Sequence, residues 1–218
     1  MTDPNPPAAE VAFAYAGIGS RRTPDVLLEA MADLAETLGR AGCVLSTGGA
    51  DGADRAFETG ALRTDAPVTV HAPWSGYNGY RPGREAESDI DVRVPDPGET
   101  VRGSSYMDLA RRHHPAWERC GRGARALFVR NVAILAGAVG EDGDAVPVLA
   151  VVAYTPNRLA TGRDAGGTGH GLRVARELGI PAINVSPRAV PADNAAALDR
   201  APETLRAALL RHFPALPG

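Results

Sequence analysis

The stretch Ser46-Thr47-Gly48-Gly49-Ala50-Asp51-Gly52-Ala53-Asp54-Arg55-Ala56-Phe57-Glu58 decides the fold class, because an apolar run enters a glycine turn and leaves it as an amphipathic helix. Gly48, Gly49 and Gly52 let the backbone approach an anion closely. The helix that follows directs unpaired N–H groups and the positive end of its dipole to the same point. The segment therefore reads as a phosphate cradle. A strand-to-helix connection without a ligand needs glycine for the same turn, so the motif alone leaves both uses open.

Working outward, the pattern repeats on either side. Val11 to Ala16 is a short apolar run ending at Gly17-Ile18-Gly19-Ser20, and Thr23-Pro24 starts a helix whose apolar face is Leu27, Met31, Leu34 and Leu38. Cys43 to Ser46 is the second strand, Gly52 to Gly60 the second helix and Val68 to Ala72 the third strand. From Pro73 to Gly103 proline, glycine, aspartate and arginine dominate, which predicts a long excursion rather than a packed element. Ser104, Ser105 and Asp108 cap a helix that stops before Pro115, and a second helix spans Ala124 to Ala138. Pro147 to Ala153 is the most continuous apolar strand, expected at the centre of the sheet. A polar loop, a helix from Gly166 to Leu178, a strand from Ala182 to Val185 and one terminal helix from Asp193 to His212 complete the chain.

Alternating strands and helices predict an α/β fold: a three-layer parallel sheet with helices on both faces, one domain over residues 11–218 with a loop and helical insertion over about 73–123. Residues 1–10 are expected to be disordered. The Gly17, Gly48 and Gly166 loops should then meet at the carboxyl ends of the strands, where open α/β sheets bind ligands.

Composition narrows the function. The 218 residues are 44% hydrophobic and 22% charged with a formal charge of -3, so nothing draws polyanions to the chain as a whole. Two cysteines, Cys43 and Cys120, make neither a disulfide scaffold nor a zinc framework. Neither a signal peptide nor an apolar run long enough to span a membrane is evident, and the expectation is a cytoplasmic protein. Arg22 stands where the dinucleotide fingerprint has its third glycine, and the Gly48 turn lacks the Gly-Lys-Ser/Thr ending of a P-loop, so both of those nucleotide classes are disfavoured. No histidine pair has metal-ligand spacing with a carboxylate, and no metal or cofactor is expected to be required.

With Ala16-Gly17-Ile18-Gly19-Ser20-Arg21, Thr47-Gly48-Gly49-Ala50-Asp51-Gly52-Ala53-Asp54, Pro73-Trp74, Arg130-Asn131, Tyr154-Thr155, Gly166-Gly167-Thr168-Gly169 and Ile180-Pro181 in this order, the chain resembles the SLOG superfamily. That superfamily includes DNA-processing protein A (DprA) and the Lonely Guy-type phosphoribohydrolases, and the likeness is nearest to short DprA-like proteins of bacteriophages and bacteria. The resemblance implies a Rossmann-like sheet whose glycine loops hold a nucleotide or nucleotide-derived ligand. Gly17, Gly19, Ser20, Arg21, Gly48, Gly49, Ala50, Asp51, Trp74, Arg130, Asn131, Gly166, Gly167, Thr168 and Gly169 are then the expected ligand contacts. It also implies a homodimer or higher homo-oligomer.

Three activities stay open: holding a nucleotide small molecule, mediating recombination on single-stranded DNA, and hydrolysing the N-glycosidic bond of nucleoside monophosphates. The hydrolase motif is broken here, with Ala165 for its proline, His170 for its threonine and Arg173 for its glutamate. Asp51, Asp54 and Glu58 are the remaining candidates for acid or base chemistry, although acidic residues in a first helical turn are also ordinary dipole partners. For DNA, Arg111, Arg112, Arg119, Arg122, Arg125 and Arg130 form a basic track beside His113, His114 and Trp117.

Overall fold

The computed structural model describes residues 13–84, 90–156 and 166–216. The expectations for residues 1–10, for the polar loop after Thr155 and for Ala165 fall outside these residues. A seven-stranded sheet forms the middle layer, in the order β11 (Ala182–Asn184), β10 (Val148–Tyr154), β1 (Ala14–Gly19), β2 (Val44–Thr47), β3 (Val68–His71), β5 (Ile90–Arg93), β4 (Gly83–Arg84). Every pairing is parallel except that of β4 with β5, which closes one edge. Two short hairpins, β6 (Thr100–Val101) with β7 (Ser104–Ser105) and β8 (Ala138–Val139) with β9 (Ala145–Val146), stand outside the sheet.

The side-chain alternation of the strands divides the core in two. Tyr15, Leu45, Val70, Val152 and Ile183 face α1 (Asp25–Arg40), α2 (Ala53–Ala61), α6 (Pro191–Leu198) and α7 (Glu203–His212). Ala14, Ala16, Val44, Val151 and Ala153 face α3 (Tyr106–Arg112), α4 (Arg122–Ala136) and α5 (Gly166–Glu177). The three-layer α/β architecture is thus the Rossmann-like one. The chain runs outward from β1 through β2 and β3 to β5, then returns to place β10 on the other side of β1. That reversal opens a crevice beyond the carboxyl ends of β1 and β10.

Three elements differ from the sequence reading. β10, expected at the centre, lies one strand from the edge, because the sheet extends further on the β2 side of β1. The excursion after Pro73 delivers β5 to the sheet: Ile90 and Val92 are buried while Arg93 is exposed, an alternation hidden by its Pro- and Asp-rich surroundings. The terminal helix is two helices, because Pro202 has no N–H to continue α6 and instead stands as N-cap of α7.

Polar side chains on the sheet fix α4. Ser46 Oγ donates to the Ile134 carbonyl at 2.8 Å, and His71 Nε2 to the Gly137 carbonyl at 3.1 Å. Thr69 Oγ1 accepts the Val139 N–H at 2.8 Å. The first two bonds satisfy carbonyls at the helix end, groups that an α-helix leaves without intrahelical partners, and the third holds the N–H of Val139 just beyond it. Burial pushes the His71 imidazole down to about 4, so it is neutral and carries its proton on Nε2.

Candidate functional site

A cleft of about 1180 Å³ occupies the crevice at the carboxyl ends of β1 and β10. Gly19, Ser20, Arg21 and Arg22 line it from the loop after β1, and Ala50, Asp51 and Asp54 from the start of α2. Gly166, Gly167 and Thr168 open the first turn of α5 into it. Its other wall is one face of α4, with Leu127, Phe128, Arg130, Asn131 and Ile134. The three loops expected to converge therefore do so, although through residues that the glycine pattern only partly identifies.

Gly17, Gly48 and Gly49 do not line the cleft. A Cβ at Gly17 would lie 2.6 Å from Phe57 Cγ, so this glycine lets β1 settle on α2. At Gly48 a Cβ would lie 2.6 Å from Arg130 Cζ and 2.8 Å from Asp54 Oδ2. At Gly49, with φ +63°, it would lie 2.9 Å from Val70 Cγ1 and 3.0 Å from Tyr80 Cδ2, with Tyr80 Cε2 nearer still. The Gly48-Gly49 turn is therefore occupied by the protein's own side chains, and its glycines make room for Arg130 and Tyr80. Gly52 lets the turn meet the loop after β1, since a Cβ there would lie 2.7 Å from the Ser20 carbonyl. Gly169 is buried within α5, away from the lining.

Asp54 joins these loops. Its Oδ1 accepts the Gly19 N–H at 3.1 Å, and its Oδ2 accepts the Ala50 N–H at 3.3 Å and Arg130 Nη1 at 3.4 Å. Burial pushes its carboxyl up, against the pull of Arg130 and the two N–H donors. With both oxygens engaged, Asp54 positions the site. Glu58, one turn further on, accepts from the Tyr80 hydroxyl and from Arg55 Nη1 at 2.9 Å, away from the cleft. Burial, then the Glu58 hydrogen bond, hold the Tyr80 phenol well above its ordinary range, so it stays a donor. Of the three carboxylates singled out in the sequence, Asp51 is the exposed one that lines the cleft.

Arg130 is 7% exposed, and its Nε is buried without a hydrogen-bond partner among the described residues. Its guanidinium also lies 5.9 Å from the Tyr77 ring centre. Asn131, one residue on, donates from Nδ2 to the Gly167 carbonyl at 3.0 Å and ties α4 to the first turn of α5. A buried cation with unused donor capacity thus shares the cleft with a helix N-terminus, a combination suited to a phosphate or another oxyanion.

The basic track is largely engaged within the chain. Arg111 pairs with Glu118 at 2.7 Å, Arg112 with Glu177, and Arg125 Nη2 donates to the Trp117 carbonyl at 3.4 Å. Trp117 is buried, and His114 packs on Phe128 at a ring separation of 4.3 Å. Arg173, standing where the hydrolase motif has its glutamate, donates to the His113 carbonyl from Nε and Nη2 at 3.2 and 3.1 Å. His170 donates from Nε2 to the Ala110 carbonyl at 3.0 Å, and burial pushes its imidazole down to about 4.

Sequence reasoning missed Tyr77 and Phe128, which line the cleft, and Tyr80, which fills the glycine turn. The Tyr77-Asn78-Gly79-Tyr80 run, two aromatics around a turn, was the available signal. No helix among the described residues is long and apolar enough to cross a membrane. Among those residues no group of three or more His, Cys, Asp or Glu is placed to hold a metal ion.

No protein-family model and no curated protein matches the chain. Among solved structures, DNA processing protein A from Helicobacter pylori, described for its single-stranded DNA binding mode, is 16% identical at a TM-score of 0.46. The match covers 79% of this chain, which spans 64% of the length of that one. TM1055, solved in a structural genomics programme, is 16% identical at a TM-score of 0.45, with 82% of this chain and 76% of the other covered.

Proposed function

We propose that the chain binds a nucleotide or nucleotide-derived small molecule in this cleft, as a DprA-like member of the SLOG superfamily. The observation that carries the reading is Arg130, buried, incompletely hydrogen-bonded and facing the same cleft as the first turn of α5. A guanidinium reads phosphate oxygens in its plane, and the N–H groups of Gly166, Gly167 and Thr168 supply donors with no intrahelical partner. Arg21 and Arg22 on the rim add long-range attraction. Leu127, Phe128 and Ile134 give the rest of the ligand an apolar wall, and the volume suits a mononucleotide rather than a lone phosphate. Self-association beside the site is the matching proposal for assembly, read by sedimentation equilibrium.

Isothermal titration with AMP, ADP and ribose 5-phosphate tests the reading. Binding should survive moderate salt, weaken by about twofold to fivefold in Arg21→Ala, which removes one exposed rim charge, and weaken in Asn131→Ala, which releases the α5 terminus. Absence of binding for every phosphorylated probe refutes it. Should free base be released from AMP, Asp51→Asn identifies the carboxylate responsible; turnover that survives this change removes Asp51 from any chemical role.

A further inference from the structure

Beside the cleft stand two aromatic side chains, Trp74 and Tyr77, of which Tyr77 also packs on the core. Trp74 is 43% exposed, one of few large apolar side chains so placed among the described residues. Its ring meets that of Tyr77 edge-on, with centres 5.4 Å apart and planes at 88°. Trp74 Cζ3 lies 3.9 Å from where a Cβ on Gly123 would be, and the next residue, Ala124, lines the cleft as Tyr77 does. Tyr77 thus lines the cleft, and Trp74, which does not, stands beside it next to the first turn of α4.

The backbone carrying this pair is a tight turn with defined hydrogen bonds. Gly76 and Gly79 have φ of +88° and +91°, which glycine adopts freely, and Asn78 between them has φ +47°, a left-handed conformation that asparagine tolerates. Five hydrogen bonds fix it: Tyr77 N–H to the Trp74 carbonyl, Gly76 N–H to the Tyr80 carbonyl, Gly79 N–H to the Gly76 carbonyl, Tyr80 N–H to the Tyr77 carbonyl, and Asn78 Nδ2 to the Gly49 carbonyl at 2.9 Å. Tyr80 anchors the far end against Gly49 and Glu58. A tight, anchored turn therefore holds the exposed tryptophan in place.

We infer that Trp74 and Tyr77 form a stacking ledge for the base of a nucleotide whose phosphate rests on Arg130 and the α5 N-terminus. The inference rests on the function proposed above and adds the second half of the ligand. The Arg130 guanidinium lies 5.9 Å from the centre of the Tyr77 ring, so one aromatic belongs to both halves of the site. The pair offers ring faces, and no side-chain hydrogen bond of Trp74 or Tyr77 is present among the described residues. A ledge of this kind accepts any base, because every base has a π-face and only hydrogen bonds to its edge discriminate. The class recognised is therefore nucleoside 5′-phosphates without strict base preference.

The experiment compares AMP, GMP, CMP and UMP with ribose 5-phosphate by titration calorimetry and by tryptophan emission. The chain holds two tryptophans, and Trp117 is 7% exposed, so ligand-dependent quenching reports Trp74. All four nucleotides should bind about tenfold or more tighter than ribose 5-phosphate and should quench emission, which ribose 5-phosphate leaves unchanged. Trp74→Leu should bring the nucleotides down to the ribose 5-phosphate affinity while that affinity holds, Tyr77→Leu should also remove the preference for nucleotides over ribose 5-phosphate, and Trp74→Phe should keep the preference and lose the quench. Equal binding of nucleotides and ribose 5-phosphate, or a preference that survives both leucine variants, overturns the ledge and leaves the phosphate site standing. Failure of every probe to bind overturns both.

Discussion

Gly48→Ala is the sharpest perturbation that the site allows. Gly48 does not have a left-handed φ, so alanine meets no backbone objection there, and the effect comes from space alone. The new methyl would lie 2.6 Å from Arg130 Cζ and 2.8 Å from Asp54 Oδ2, with Nη1 nearer still. The guanidinium must leave, and Asp54 then remains a buried carboxylate without its paired cation. Breaking a buried ion pair in this way costs about 3 to 5 kcal/mol. In an Arg130→Ala background the pair is already broken and the methyl meets only Asp54 Oδ2, so the same substitution should cost at most about half as much. Denaturant unfolding followed by circular dichroism at pH 7 closes the cycle. The deficit of Gly48→Ala should also shrink as pH falls, because an unpaired Asp54 binds a proton more tightly when folded than when unfolded. A cost below about 1 kcal/mol for Gly48→Ala alone, or one equal in both backgrounds, refutes the claim that this glycine exists to admit Arg130.

Further outcomes follow from the same geometry. His71 and His170 are both pushed down to about 4 by burial, so between pH 6.5 and 4 the unfolded chain takes up protons that the folded chain refuses. Stability should fall as pH is lowered through that window, by roughly 1 kcal/mol per pH unit for each histidine. His170→Gln should remove its share of the slope whatever its cost at pH 7.5, and an unchanged slope contradicts the assignment. Glu58→Gln should lower the unfolding midpoint through its bonds to Tyr80 and Arg55. It should leave AMP affinity within about twofold of the parent, the reverse of what a ligand-binding carboxylate would show. Gly60→Ala would set a methyl 2.7 Å from Ala32 Cα and closer to its carbonyl, where α1 and α2 meet. Backbone cannot yield as a side chain does, so a loss of about 3 kcal/mol or more in stability is expected, and a melting temperature within a degree or two of the parent argues against close helix contact.

The fold was legible because strand, glycine turn and helix alternate locally: the ends of α1, α2 and α5 can be read from Thr23-Pro24, Gly42, Gly52 and Gly166 without knowing what they touch. β5 was not, since Ile90-Asp91-Val92-Arg93 alternates over only four residues and acquires meaning through its pairing with β3. The same division runs through the site. Gly48 and Gly49 looked like a phosphate cradle because the sequence displays their missing side chains, whereas the occupants, Arg130 and Tyr80, stand 82 and 31 residues further on. A glycine pattern reports that something comes close to the backbone, and the fold alone identifies what it is. Here the close approach is internal at Gly17, Gly48, Gly49 and Gly52, and it locks the β2–α2 turn to β1 and α4. The ligand donors pass to residues that the turn holds in place: Arg130 through Asp54, and the α5 terminus through Asn131. The glycine-rich stretch is then the frame of the binding site, which explains why mutations within it should damage stability first and affinity as a consequence.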